Sequence, residues 1–462
     1  MQQGFSHGGR LPWPAIGLAA LVWLMSVAYG FQYLVMDNTA AHLSYFRVAT
    51  VPYAIIVVLL TWHALRDPAL SRDIEQIPPA VGWVLMSVSW VLTCYFYSSK
   101  LSFLPWPIVA AALPAAAALA QRKWGSRGSV WCFVAGALAL IAFLASRLAH
   151  DVAGGDMLQI IDFAIRDLLD GHSPFRRYLT VSGKEVMFGY WPGVWLPYLP
   201  VIALGLDMRV LNVFLMGLVV LLFWKASGGG ERGARILSIV LFPVLLSTPL
   251  MQMALSGHLW LYWLLSAATL LFVVRGQYTL AAVMFGLCLA SRPTALFLAG
   301  PILAYVWTQA GLRAALAGGG VSAGVLLALN LPFYLIYGDV YLQANFGYLS
   351  GIGHQLTHFS IEGILQAVGL GALGKPLQVA TSLAAMAFIF VKRPLAPEKF
   401  IMLVGVAYIW EILFASYATR YMYFSGFLLV ALGLVLAQTR SAAGAERVSR
   451  NGRVGATVSA RA

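Results

Sequence analysis

Residues 147–209 read RLAHDVAGGDMLQIIDFAIRDLLDGHSPFRRYLTVSGKEVMFGYWPGVWLPYLPVIALGLDMR, and they interrupt a chain of nearly continuous apolar runs. The sequence holds 17 Asp and Glu residues, and seven of them stand here: Asp151, Asp156, Asp162, Asp167, Asp170, Glu185 and Asp207. A carboxylate is costly in hydrocarbon. A chain that avoids carboxylates elsewhere and gathers them between two apolar runs keeps this stretch out of the hydrocarbon and equips it for polar chemistry.

Local pattern divides the stretch. Met157, Ile160, Ile161, Ala164, Ile165 and Leu168 share one face at helical spacing, with Asp162, Arg166 and Asp170 off it. This predicts an amphipathic helix in the interface plane, closed by Gly171. Ser173-Pro174 turns the chain. Residues 190–207 carry Pro192, Pro197 and Pro200, too many for a straight spanning helix. A broken or re-entrant piece packed on protein is expected, with its Tyr and Trp residues at headgroup level.

Outward from this stretch the composition is that of a membrane protein. Of 462 residues 60% are hydrophobic and 10% charged, against roughly 25% charged in soluble domains. Mean hydropathy is +0.80. The expected class is an all-α polytopic membrane protein. Apolar runs long enough to span fall near 11–34, 45–64, 80–98, 103–121, 129–147, 208–226, 233–250, 254–274, 277–291, 295–309, 315–337, 376–392, 399–416 and 419–437, about fourteen in all, with 277–291 and 295–309 short. The first run is read as an uncleaved span because it is too long for a signal-peptide core. The net charge of +13 is attributed to cytoplasmic loops and not to nucleic acid. Cys94, Cys132 and Cys288 sit in apolar runs and suggest neither disulfides nor a zinc site.

With fourteen spans and a cytoplasmic N-terminus, most Lys and Arg residues fall on the cytoplasmic side, Lys225, Arg275 and Arg313 among them. Loops 148–207 and 338–375 then face the exterior. The division expected is a four-helix membrane extension over 1–128, a transmembrane core over 129–437, and a disordered basic cytoplasmic tail over 438–462 near anionic lipid. No internal repeat is apparent.

The 148–207 loop resembles the first external loop of GT-C glycosyltransferases, the polytopic enzymes that use polyprenyl-phosphate sugars, and is most similar to bacterial mannosyltransferases of that kind. The matching residues are Asp156, Leu169, Gly171, Pro174, Phe175, Tyr190 and Pro192. Tyr190-Trp191-Pro192 departs from the commoner Tyr-Pro-Pro. Ser256-Gly257-His258 opens a span as Gly-Gln does in that family. Ser291-Arg292-Pro293-Thr294-Ala295 stands where Lys-Pro is frequent, and Arg420-Tyr421 resembles an Arg-Tyr or His-Tyr near the last spans. The likeness covers roughly 130–437. It implies inverting transfer of mannose or another hexose or pentose from a polyprenyl-phosphate donor to a lipid or glycan acceptor, at the external face of a bacterial inner membrane.

Such a transfer needs a carboxylate to take the acceptor proton and cations to hold the leaving phosphate. Asp156 is the first candidate base and Asp151 the second. Asp156 is equally well placed to cap the helix that follows, and Asp151 to stand exposed at the membrane edge. Asp162 is read as the i,i+4 partner of Arg166, and Asp167 and Asp170 likewise as solvated partners. Arg176, Arg177, Lys184, Arg209, Arg292 and Arg420 fall outside the positive-inside pattern. Arg292 and Arg420, at helix ends, rank first for phosphate, with headgroup contact as the alternative. Tyr190, His258 and Tyr421 complete the substrate-binding candidates, although a lone His at a span end also serves structure. His354 and His358 are spaced i,i+4 but lack the Glu of H-E-x-x-H. No cofactor is expected; a divalent metal is compatible but nothing indicates one. Glu411 lies within a span, with no partner named by the sequence.

The absence of a P-loop or Gly-rich strand-to-helix turn argues against a nucleotide-sugar donor. Two other classes compete: a transporter or lipid flippase, which should show repeats and midplane charges, and an O-antigen-type polymerase or ligase, which should carry its chemistry in a larger late loop. The 338–375 loop holds only Asp339, Glu362 and Lys375 as charges.

Overall fold

The computed structural model describes residues 13–34, 39–66, 79–96, 123, 134–139, 141, 156–180, 183, 185–347, 360–415 and 422–439. It is 85% helical. The strands among these residues are two, Arg177–Leu179 (β1) and Glu185–Met187 (β2), an antiparallel ribbon with Tyr178 opposite Val186.

The helices run as follows. Trp13–Leu34 (α1), Thr39–Arg66 (α2) and Pro79–Phe96 (α3) open the chain. Asp156–Leu169 (α4) follows, and the ribbon leads into Pro192–Trp195 (α5), a 3-10 turn over Leu196–Tyr198, and Leu199–Ala203 (α6). Then come Met208–Ala226 (α7), Gly230–Val240 (α8), Phe242–Leu245 (α9), Thr248–Ser256 (α10), Trp260–Val274 (α11), Tyr278–Ser291 (α12), Leu296–Ala310 (α13) and Leu312–Leu342 (α14). Ile361–Ala367 (α15), Gly374–Val391 (α16) and Pro397–Leu413 (α17) lead to the last helix, Met422–Thr439 (α18).

The helix and the proline breaks expected from the sequence are both present. α4 occupies the amphipathic stretch; Ile160, Ile161, Ala164 and Ile165 of the expected face are buried, Leu158 joins them while Met157 and Leu168 are half-buried, and Gly171 follows at φ +79°. The proline-rich piece is broken into α5, a turn and α6, each with a proline at one of its first two positions, where the missing N–H costs nothing.

The span count is corrected. Four described helical stretches are long and apolar enough to cross a membrane, Met208–Ala226, Leu312–Gly347, Gly371–Val391 and Met422–Thr439, or five if the bent pair α10–α11 is one span. The protein is therefore an all-α, membrane-embedded chain, but not one of fourteen uniform spans. Hydropathy windows register apolarity, not straightness. The expected spans 233–250 and 254–274 fold instead into α8, α9, α10 and α11, because Pro243 and Pro249 start new helices and Gly257 ends α10 in extended backbone. α12 and α13, at 14 and 15 residues, are real but short. The expected span 103–121 lies outside the described residues, as does most of 129–147.

One hydrophobic core joins α1, α2 and α3 to α7–α13 and α16–α18, so the described helices of the expected N-terminal extension pack with the rest. A second, smaller core joins α4, the ribbon, α5 and the start of α7 to Tyr341 at the end of α14. Phe175 sits at its centre, edge-on to Tyr341 at 5.0 Å and to Tyr337 at 5.4 Å.

Hydrogen bonds fix the two ends of the bundle. Thr439 donates to the Ala226 carbonyl (3.1 Å) and Arg232 to that of Gln438, so α7 and α18 finish together where α8 begins. At the other end Asn212 donates to the carbonyls of Gly257 (2.7 Å) and Ala254 (3.2 Å). α8–α10 thus climb as a broken rod from the Ala226 end to the Asn212 end, and α11 descends again.

Candidate functional site

The Asn212 end carries the site, and its centre is the corner between α10 and α11. These helices meet at 113° across Gly257-His258-Leu259. His258 is 4% exposed, and neither ring nitrogen has a hydrogen-bond partner among the described residues. Buried polar atoms are nearly always satisfied, so such an orphan calls for a ligand, an ion or water. The Tyr190 ring lies against the imidazole, centroid to centroid 4.6 Å.

Tyr190 is held there by the residues after it. Pro192 starts α5, and Gly193 brings that helix onto the end of α12. A β-carbon on Gly193 would stand 2.6 Å from the carbonyl carbon and oxygen of Ala290 and 2.8 Å from the Ser291 nitrogen. Only glycine permits this approach. Phe188, edge-on to Tyr190 at 5.6 Å, ties the same segment to the second core.

α12 ends where Arg292 turns extended (φ −154°, ψ 131°), and Pro293 opens a 3-10 turn into α13. The Arg292 charge lies close enough to act on both His258 and Tyr408. Tyr408, from α17, donates to Thr294 Oγ1 (3.3 Å) and accepts from the Tyr262 hydroxyl (3.3 Å). Trp263 donates to Ser425 Oγ (3.1 Å) beside them. Four helices and the Pro293 turn therefore converge on one buried polar cluster.

An apolar cleft opens beneath Arg292 between α12, α13 and α14. Phe285 and Leu289 line it from α12, Leu296 and Ile302 from α13, and Gly318 and Ser322 from α14. Leu289 and Leu296 line the cleft three residues before and four after Arg292, so Arg292 belongs to the turn that joins two of its walls.

Of the residues singled out from sequence, Tyr190, His258 and Arg292 come together here. Asp156 is the first residue of α4, and α4 packs against α10, which leads into His258; for Asp156 itself the backbone alone is described. Asp151, Lys184, His354, His358, Arg420 and Tyr421 lie outside the described residues.

The remaining cations of the main segment are engaged by its own carboxylates. Arg166 pairs with Asp162 at 3.0 Å, as the i,i+4 spacing predicts. Asp167 differs from expectation: it is largely buried, takes two bonds from Arg176 (2.5 and 2.7 Å) and one from the Tyr178 hydroxyl (2.6 Å), and so clamps the ribbon to α4. Burial and this carboxylate push the Tyr178 hydroxyl up from its ordinary pKa. Arg177 reaches Glu185 at 3.9 Å across the ribbon, both exposed. Two of the 190–207 aromatics, Trp195 and Tyr198, pack inside the protein. Both are buried, because Trp195 donates to the Tyr190 carbonyl (3.2 Å) and Tyr198 to Asn212 (2.6 Å), which satisfies their polar tips inside.

Arg209 is buried against Asp207, which also caps α7 by accepting from the Arg209 N–H at 2.8 Å. Burial works to raise the Asp207 pKa, but the guanidinium and the N–H outweigh it and hold the carboxyl below its ordinary value. A depressed carboxyl contributes stability above its unfolded pKa, near 4, and loses it as pH falls through the folded value. Asp207→Asn is therefore expected to lower stability at pH 7 by less than about 1 kcal/mol, since the carboxylate is partly exposed. It should also flatten the loss of stability below about pH 4. Thermal unfolding across pH 3–7 checks both.

Sequence reasoning missed Tyr262, Tyr408 and Ser425. Tyr262 sits four residues after His258 and was within reach of a helical-face argument; Tyr408 is 114 residues from its partner Thr294, and no local pattern joins them. Glu411 is fully buried and accepts from Ser382 on α16, the partner that the sequence did not name. Cys94 and Cys288 are buried free thiols. No protein-family model, no curated protein and no solved structure matches this chain.

Proposed function

We propose that this chain is a GT-C-like glycosyltransferase of a bacterial inner membrane, with the Asn212 end of the bundle facing the exterior and the termini in the cytoplasm. It moves a sugar, mannose or another hexose or pentose, from a polyprenyl-phosphate donor to a lipid or glycan acceptor. One observation carries the reading: a buried histidine whose ring nitrogens have no partner among the described residues lies beside an arginine in the turn that joins two walls of an apolar cleft. A cation next to an unfilled polar site suits a phosphate, and the cleft suits an isoprenoid chain.

In this reading the acceptor oxygen attacks the anomeric carbon from the face opposite the phosphate. The carbon–oxygen bond to phosphate breaks, and its electrons leave with the phosphate, which Arg292 holds; Arg420 and Tyr421 belong to the same set. Asp156 takes the acceptor proton. Configuration inverts because the displacement is single.

The test is incubation of purified protein with radiolabelled polyprenyl-phosphate sugars and a membrane lipid extract. Wild type should label a lipid or glycan product. Asp156→Asn should form none while unfolding at the wild-type temperature. Full transfer by that variant would move the base to Asp151. Failure of wild type with every polyprenyl-phosphate sugar offered would overturn the reading.

A further inference from the structure

A second cleft lies toward the other end of the bundle, between α7 and α11. Leu218, Leu221 and Leu222 line it from α7, and Leu264, Ala268 and Leu271 from α11. These spacings put one apolar stripe on each helix. Each stripe runs on to a cation that lines the same cleft: Lys225 three residues past Leu222, Arg275 four past Leu271. Both cations are exposed, and neither has a carboxylate partner among the described residues.

We infer that this cleft binds one anionic phospholipid, its phosphate between Lys225 and Arg275 and an acyl chain along the two stripes. Charge complementarity selects the occupant. Two unpaired cations at the same end of one trough need an anion there, and the trough needs an apolar chain on that anion. Ordinary snorkelling would carry each cation separately to water; here both border the mouth of one groove. A zwitterionic lipid brings a quaternary ammonium to the same place and binds less well. The inference is independent of any sugar transfer at the opposite end.

Native mass spectrometry of the full-length chain, titrated with phosphatidylglycerol, phosphatidylcholine or inorganic phosphate, tests it. Wild type should retain one phosphatidylglycerol in preference to phosphatidylcholine, and no inorganic phosphate. The double variant Lys225→Gln/Arg275→Gln should bind phosphatidylglycerol about 30-fold more weakly. Arg313→Gln, another exposed cation outside the cleft, should bind as wild type does. Ala268→Phe fills the trough without changing charge and should also weaken retention; the exposed double variant decides alone if this one does not fold. Equal retention by wild type and the double variant, equal retention of the two lipids by wild type, or an equal loss in Arg313→Gln would each overturn the inference.

Discussion

Arg292→Ala is expected to lower kcat/KM for a polyprenyl-phosphate sugar roughly 100-fold. Removing one partner of a desolvated, hydrogen-bonded charge pair costs about 2–5 kcal/mol, and each 1.36 kcal/mol is a factor of ten in rate. Arg292 is half-buried beside buried His258, in the turn that joins two walls of the apolar cleft, so a phosphate there would be partly out of water. The loss should fall on donor use and not on acceptor use, since only the donor carries the phosphate in this reading. Arg292→Lys should recover part of the activity at most, because a point charge does not reproduce a two-pronged guanidinium contact. Steady-state kinetics at varied donor and fixed acceptor, with unfolding temperature as the fold control, make the check. Unchanged donor kinetics in Arg292→Ala would remove its phosphate role.

The second large effect concerns a residue with no chemistry of its own. Gly193→Val should cost about 3 kcal/mol of stability and detach the Tyr190 segment from α12. The atoms that a β-carbon would meet at 2.6–2.8 Å are backbone atoms of Ala290 and Ser291, which cannot turn aside as a side chain does. Either α5 lifts or the end of α12 moves, and Arg292 is the next residue after Ser291. Transfer should therefore fall together with unfolding temperature. Gly217→Ala in α7 is the matched control: nothing lies within 4 Å of its added carbon, so it should be neutral or slightly stabilising. Equal unfolding temperatures for Gly193→Val and wild type would mean that α5 is not seated on α12.

What the sequence disclosed follows from the range of each signal. The face of α4 and the breaks at Pro192, Pro197 and Pro200 are local, and both were legible. Tyr190, His258 and Arg292 each stand out for separate reasons, but nothing local says that they meet, because Tyr190 reaches His258 through the seating of Gly193 on Ala290. Arg176 and Arg292 look alike from charge alone; in the fold Asp167, nine residues before Arg176, turns back from α4 to hold it, whereas Arg292 stands beside His258. The number of crossings was over-read because a long run without charge does not mean one rod: residues 236–255 hold no Asp, Glu, Lys or Arg, yet they are divided among α8, α9 and α10.

The shortness of α11, α12 and α13 has a consequence for depth. At 15, 14 and 15 residues they measure about 21–23 Å, whereas the oily slab of a bilayer is about 30 Å thick. If Arg275 marks one boundary of that slab, His258 and Arg292 stop some 8 Å short of the other. Hydrophobic mismatch of this size is met by local thinning. The two residues then lie at the floor of a dimple in the lipid, at a depth that an amphiphile's charged group reaches while its tail stays in the bilayer.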